Sequence, residues 1–350
     1  MKNIFILSIS LLGIISCDKN NEETPPPVTE TIHMCGSIID QPNNIAYACY
    51  WKNGVPTSLS TGLVASGHSE IAEDMAVYNN DVYIVGVNEL PSGRGTGVYW
   101  KNGTKLATLD DGLNNIVCTA IAVNANGVHI AVNQQNSSNV YTPRYWKDGA
   151  MTTLMLSGTV PNVFLSDIAT SGNDVYILGT QVVGANRNCI LWKNGSATII
   201  PLVNTINASN FRLAVSGSDV YISTNENPIG SNVSRIMFYK NNEAPVAITS
   251  ATLAGARDIV VNGSDVYISG VQENTSGTFD AAYWKNGTKV SLGGTVDSEL
   301  NSVFIKNTDV YACGVTNVNN KFTATYWKNS TATVLGNGTL ASYPSKIIVQ

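Results

Sequence analysis

The chain is poor in charge. Asp, Glu, Lys and Arg make up 13% of its 350 residues, about half the usual share of roughly 25%. Disordered chains combine high charge with few core formers, so 43% hydrophobic residues at this charge density argue for a folded protein. A basic excess is missing too: 20 Lys and Arg against 25 Asp and Glu leave a net charge of −5. That balance offers no footprint for a phosphate backbone, and no nucleic-acid partner is expected. Six cysteines are too few for a disulfide-built scaffold of this length. Three histidines, no two at metal-ligand spacing, give no zinc motif. No Ser or Cys nucleophile comes with a recognisable His partner. No cofactor, no metal and no catalytic residue is expected from these motifs.

Long apolar runs are also scarce. The one that stands out, residues 4–15, follows the basic start Met1-Lys2. As a helix it would rise about 18 Å, short of a hydrocarbon core of about 30 Å. It therefore reads as a signal peptide over residues 1–16 rather than a membrane span. The string Ile14-Ile15-Ser16-Cys17 resembles a bacterial lipobox. The resemblance implies that Cys17 is lipidated and begins the mature chain, which then meets the membrane through its acyl chains. Residues 17–30 carry charge and three consecutive prolines, and read as a flexible tether. An acidic stretch straight after the Cys resembles the export signal of surface lipoproteins in some Gram-negative bacteria. The expected location is the outer membrane, facing either the cell surface or the periplasm.

What the sequence has in abundance is repetition. Tyr-Trp-Lys-Asn-Gly stands at 50–54, 99–103 and 283–287, with variants at 145–149, 191–195, 238–242 and 326–330. From Trp51 to Trp327 the mean spacing is (327 − 51)/6 = 46 residues. A second string, Asp-Val-Tyr-Ile, begins at Asp81, Asp174, Asp219 and Asp265. Asp309, Gly127 and Thr31 begin its variants. An apolar strand precedes each Asp-Val-Tyr, and a short one follows each Trp-Lys-Asn-Gly. One repeat thus reads as four strands, a to d. Asn-Gly supplies the positive φ angles of a tight hairpin, which makes c and d antiparallel neighbours. Four strands in about 46 residues is the size of one propeller blade.

The chain ends are the strongest signal. The first copy starts at strand b and lacks strand a, while residues 346–350 read as a strand a with no b, c or d. Together they complete one blade. An open solenoid would need polar caps instead. Residues 31–350 therefore resemble the seven-bladed β-propeller superfamily: all-β, four antiparallel strands per blade, the ring closed by the C-terminal strand. Within it they look most like bacterial propeller lipoproteins with Tyr-Trp-Lys-Asn-Gly repeats.

The columns of the repeat separate packing from candidate chemistry. Trp51, Trp100, Trp146, Trp192, Tyr239, Trp284 and Trp327 read as core filling the wide outer gaps between blades. Ala76, Ala122, Ala169 and Ala214 suit a crowded axis, from which Val260, Phe304 and Ile348 depart. His33 and His129 stand in the strand-b Tyr column and read as structural. Cys35 and Cys49 lie on paired strands, where a disulfide is possible. One further column is polar: Asp74, Ala120, Asp167, Arg212, Asp258, Ser302 and Lys346, with Arg257 adjacent. It reads as the start of strand a, near one mouth of the channel. Asp74, Asp167, Arg212, Arg257, Asp258 and Lys346 are the candidate ligand-binding residues, and Asp167→Ala or Asp258→Ala is expected to weaken a ligand while sparing stability. The long b–c and d–a loops open on this face and are rich in Asn, Ser, Thr and Gly. They suit a glycan or protein ligand, with a carbohydrate-active hydrolase or lyase using the mouth carboxylates as the alternative.

The lipobox reading has a direct check. Labelling cells with a fatty-acid analogue is expected to mark the wild-type protein and not Cys17→Ala. Equal labelling of both would refute the anchor.

Overall fold

The computed structural model describes residues 30–40, 43–60, 68–183, 186–202, 205–231, 233–241, 243–249, 253–294 and 296–350. The signal peptide, Cys17 and nearly all of the tether lie outside the described residues. Residues 31–350 form one unit. Within it, 28 strands arrange as seven four-stranded antiparallel sheets, the blades. Among the described residues no helix is long and apolar enough to cross a membrane.

Blade 1 is built from both ends of the chain. Its order is β28 (Ala341–Val349), β1 (Ile32–Asp40), β2 (Ile45–Lys52), β3 (Val55–Ser58). β1 pairs antiparallel with β28, from Ile32 opposite Val349 to Ile39 opposite Ala341. The six other blades follow in chain order. Their inner strands are β4 (Ser69–Tyr78), β8 (Asn115–Asn124), β12 (Val163–Ser171), β16 (Thr205–Ser216), β20 (Ala254–Asn262) and β24 (Ser298–Lys306). Each inner strand touches the next, and β28 touches both β24 and β4, so the ring is closed. The closing strand is longer than the five residues the sequence suggests.

The repeated strings explain themselves as a clasp within each blade. In blade 2, Asn102 Oδ1 accepts the Val82 N–H at 2.8 Å, and its Nδ2 donates to Asp81 at 2.7 Å. Lys101 pairs with Asp81 at 2.7 Å and lies over the Tyr83 ring. Asp174, Lys193 and Asn194 repeat the arrangement, as do Asp265, Lys285 and Asn286. The Asn adopts φ near +50°, at 49° in Asn102, Asn194 and Asn286. Asn tolerates that region because its short amide bonds locally. Asp-Val-Tyr and Trp-Lys-Asn-Gly are thus two halves of one turn lock, far along the chain and adjacent in space.

Packing follows the expected columns. Trp51, Trp100, Trp192, Trp284 and Trp327 are buried between blades, as is Tyr239. Trp146 is half-buried and packs against the cluster around Ile121 and Ile130. The three large residues of the otherwise Ala column, Val260, Phe304 and Ile348, fall on consecutive blades 6, 7 and 1. His33 and His129 are buried, and each Nδ1 lies 2.6 Å from a tyrosine hydroxyl, of Tyr50 and Tyr145. Burial lowers both imidazole pKa values, which keeps the rings neutral in this setting.

The Cys35–Cys49 disulfide does not form. Cys35 packs into the cluster shared with blade 2, and Cys49 into the cluster shared with blade 7. Their side chains leave opposite faces of one sheet, because Cys49 is opposite Gly36 rather than Cys35.

Ring closure makes Ile347 a sensitive position, since it is 0% exposed. Ile347→Ala is expected to cost about 2–5 kcal/mol, read as a fall in the denaturant midpoint. A variant as stable as the wild type would mean that β28 does not hold the ring.

Candidate functional site

Each inner strand carries a β-bulge, and the polar column sits immediately after it. The register shifts before Asp74, Ala120, Asp167, Arg212, Asp258, Ser302 and Lys346. These residues are therefore mid-strand, inside the channel, rather than at the strand start expected from the sequence. The bulge pushes a strand-a carbonyl toward strand b, where glycine makes room. A Cβ on Gly86, Gly270 or Gly314 would come within 1.9, 2.0 and 1.9 Å of that oxygen.

The column's mixed chemistry has a structural reason. In all seven blades the N–H after the column residue meets a side-chain oxygen. Asp74 accepts from Met75 in its own strand and from Ile121 of the next blade at 2.8 Å. Asp167 accepts from Ile168 and Leu213, both at 2.8 Å. Asp258 accepts from Ile259 at 3.0 Å and Val303 at 3.3 Å. Ser302 donates to Asp258 at 2.7 Å and accepts from Ile347 at 3.4 Å. Three aspartates each serve two blades, and one serine serves the seventh. The positions left over need no acceptor, and they hold Ala120, Arg212 and Lys346.

All six candidate residues meet around one small axial cavity of about 90 Å³, with Glu73, Ser166 and Asn301. Lys346 reaches from blade 1 past blade 7 to Asp258, at 3.1 and 3.0 Å from its two oxygens. Burial opposes the charge on Lys346, but Asp258, Asp74 and Asp167 outweigh it and raise its pKa. Burial pushes the Asp167 carboxyl up to about 6, against the pull of Arg212 and Lys346. Burial likewise raises Asp74 and Glu73. Arg257 pairs with Glu299 at 3.0 Å. Among the described residues no group of three His, Cys, Asp or Glu is placed to hold a metal ion.

The larger open space lies beside the axis, over blades 3 to 5. It measures about 590 Å³ and joins the axial cavity through Glu73, Ser166 and Arg212. Its wall carries Tyr141 and Phe164, whose rings meet edge to face at 5.3 Å and 84°. Phe164 is 39% exposed, unusual for phenylalanine. Asn139, Asn162, Thr180, Arg187 and Ser209 complete a polar rim. The cavity is the right size for a small ligand, and it opens on the face of the b–c and d–a loops. Exposed apolar side chains such as Leu113, Val160, Ile229 and Leu340 also lie on these loops. None of the exposed large apolar residues falls in an a–b or c–d turn among the described residues.

Sequence reasoning missed Tyr141, Phe164 and Arg187. The available signal was position within the repeat: three residues before the polar column, blades 2 and 3 carry Ile71 and Val117, whereas blades 4 and 1 carry the aromatics Phe164 and Tyr343.

No protein-family model matches the chain, and no curated protein matches it. Solved structures do. TolB from Acinetobacter baumannii superposes with a TM-score of 0.50 at 11% identity, over 86% of this chain and 79% of that one. A prolyl endopeptidase superposes with a TM-score of 0.51 at 14% identity, over 87% of this chain and 47% of that one. The β-propeller domain of the Trilobed protease from Pyrococcus furiosus gives 0.49 at 8% identity, over 89% and 96%. Likeness at these identities is likeness of fold.

The aspartate clasp gives the axial carboxylates a structural task, so a stability cost is expected alongside any loss of ligand. Asp167→Ala leaves two N–H groups without their acceptor and is expected to cost about 2 kcal/mol or more, read in thermal melts. The pH dependence has a sign. A carboxyl whose folded pKa is raised contributes stability that is fully present below about pH 4 and lost as pH rises through about 6. Wild-type stability should carry that component, and Asp167→Asn should remove it.

Proposed function

We propose that the protein is a binding module of the bacterial cell envelope, held to the membrane by a lipid on Cys17, with its ligand site in the off-axis cavity of the loop face. The observation that carries this reading is the division of labour at the mouth. The axial carboxylates are spent on backbone N–H groups and Lys346 around about 90 Å³, room for roughly three waters. The open 590 Å³ beside them offers an aromatic pair, Phe164 exposed and Tyr141 half-buried, with amide, hydroxyl and guanidinium groups. Aromatic faces with uncharged hydrogen-bonding groups suit the apolar face and hydroxyl edge of a sugar ring, so the ligand proposed is a glycan. Arg212, which lines both cavities, is the candidate axial residue best placed to touch it; Asp74, Asp167, Asp258 and Lys346 would hold the floor.

Hydrolysis is the weaker reading. A glycosidase of the common kind works with two carboxyl groups flanking the bond, and among the described residues the large cavity is lined by one, Glu73. The envelope location rests on the lipobox-like string at 14–17 and the tether after it.

The test is a glycan array probed with the purified protein, followed by affinity measurements on the hits. Tyr141→Ala and Phe164→Ala should each weaken binding by about 1.5–3 kcal/mol, roughly ten- to a hundredfold in Kd, at nearly unchanged melting temperature. Affinity that survives both substitutions and falls instead with changes at the Asn-Gly turns would place the working face on the other side.

A further inference from the structure

We infer that the ligand of the off-axis cavity carries a carboxylate, so that the glycan class it fits is one containing a uronic-acid residue. This rests on the binding reading above. Two guanidinium groups line the cavity, Arg187 and Arg212. Arg212 is fixed in place: its Nε donates to the Arg257 carbonyl at 2.5 Å and its Nη1 to the Ser166 carbonyl at 3.2 Å. The two acceptors belong to the flanking blades 6 and 4, and Nη2 takes no acceptor among the described residues. Arg187, early in β14 (Asn186–Lys193), is exposed and makes no hydrogen bond or ion pair among the described residues.

The surroundings answer Arg212, whose charge meets those of Asp167 and Glu73, but they do not answer Arg187. Glu73 is the one carboxylate in the described lining, and it makes no ion pair among the described residues. It is partly buried and close enough to Arg212 for their charges to interact. Arg187 is left with its charge unanswered at the exposed rim. A neutral sugar uses aromatic faces and amides and gains little from two cations. A guanidinium presents a planar fork of donors that matches a carboxylate in two parallel bonds, which a lysine ammonium does not. Tyr141 and Phe164 supply the apolar wall on which the ring of the same residue rests.

The experiment is calorimetric titration of the purified protein with uronic-acid oligosaccharides, the same oligosaccharides with methyl-esterified carboxyl groups, and sulfated oligosaccharides. The free acid should bind at least about tenfold more tightly than its ester, and rising salt should weaken the acid far more than the ester. Arg187→Gln should abolish the preference for the acid while leaving the melting temperature unchanged, and Arg187→Lys should restore part of it. Equal binding of acid and ester, or a preference that survives Arg187→Gln, would overturn the inference. So would tighter binding of the sulfated series, which shares the charge without the planar fork. A neutral glycan held through Tyr141 and Phe164 with no charge preference would overturn this inference and leave the binding reading standing. If no glycan of any class binds, both readings fall together.

Discussion

The ring rests on one interaction, the antiparallel pairing of β28 with β1. Every blade is four strands whose inner edge and both faces depend on neighbours, so six complete blades and an open gap would leave two apolar faces in water. The split blade supplies the seventh wedge and joins the chain ends with backbone hydrogen bonds. Ile347 and Val349 then close the core between blades 7 and 1, against Met34, Trp51 and Tyr311. Closure couples residues more than 300 positions apart, and it turns seven marginal hairpin units into one cooperative body.

The inner column follows from that closure and from an odd number of blades. An aspartate has two oxygens, and here each one serves a different inner strand. Pairs of blades can be tiled this way, but seven cannot, and Ser302 fills the remainder with one oxygen that donates to Asp258 and accepts from Ile347. The same parity accounts for Lys346. It stands where no acceptor is required, and its ammonium offsets the carboxylates that the clasp has brought together. A charged cluster at a channel mouth therefore need not mark a reaction centre; here the aspartates and Lys346 have an account in backbone hydrogen bonding and charge balance.

The fold was legible because its signals are local and periodic. Asn-Gly turns, the Trp column and the incomplete first and last copies each encode one feature of a blade, and together they specify seven blades and their closure. The site was legible in part. Asp74, Asp167, Arg212, Arg257, Asp258 and Lys346 do converge, as their shared column suggests. Their depth was misjudged because a bulge adds a residue without changing the apolar alternation that follows it. The glycine after Asp-Val-Tyr-Ile-Val, and its equivalents Gly270 and Gly314, mark that bulge, but as an isolated glycine in a strand it has several readings. The cavity of Tyr141, Phe164 and Arg187 was harder to read, because it draws on three consecutive blades and its aromatic pair recurs, as Phe322 and Tyr343, without the arginine beside it.

That last point is also the argument for where function resides. Side chains that recur in every blade are consumed by what every blade needs: turn locks, inter-blade core and the axial clasp. A ligand breaks the sevenfold symmetry, so its site has to be built from residues that do not recur. The aromatic pair recurs once, as Phe322 and Tyr343 between blades 7 and 1, but Arg187 has no counterpart at Gly95 or Phe279, which open the third strands of blades 2 and 6. The arginine lies over blades 3 to 5, on the face of the long loops, beside an open volume of about 590 Å³ that exceeds the axial cavity. Symmetry holds the ring together, and the place where it fails is where the ring has room to be selective.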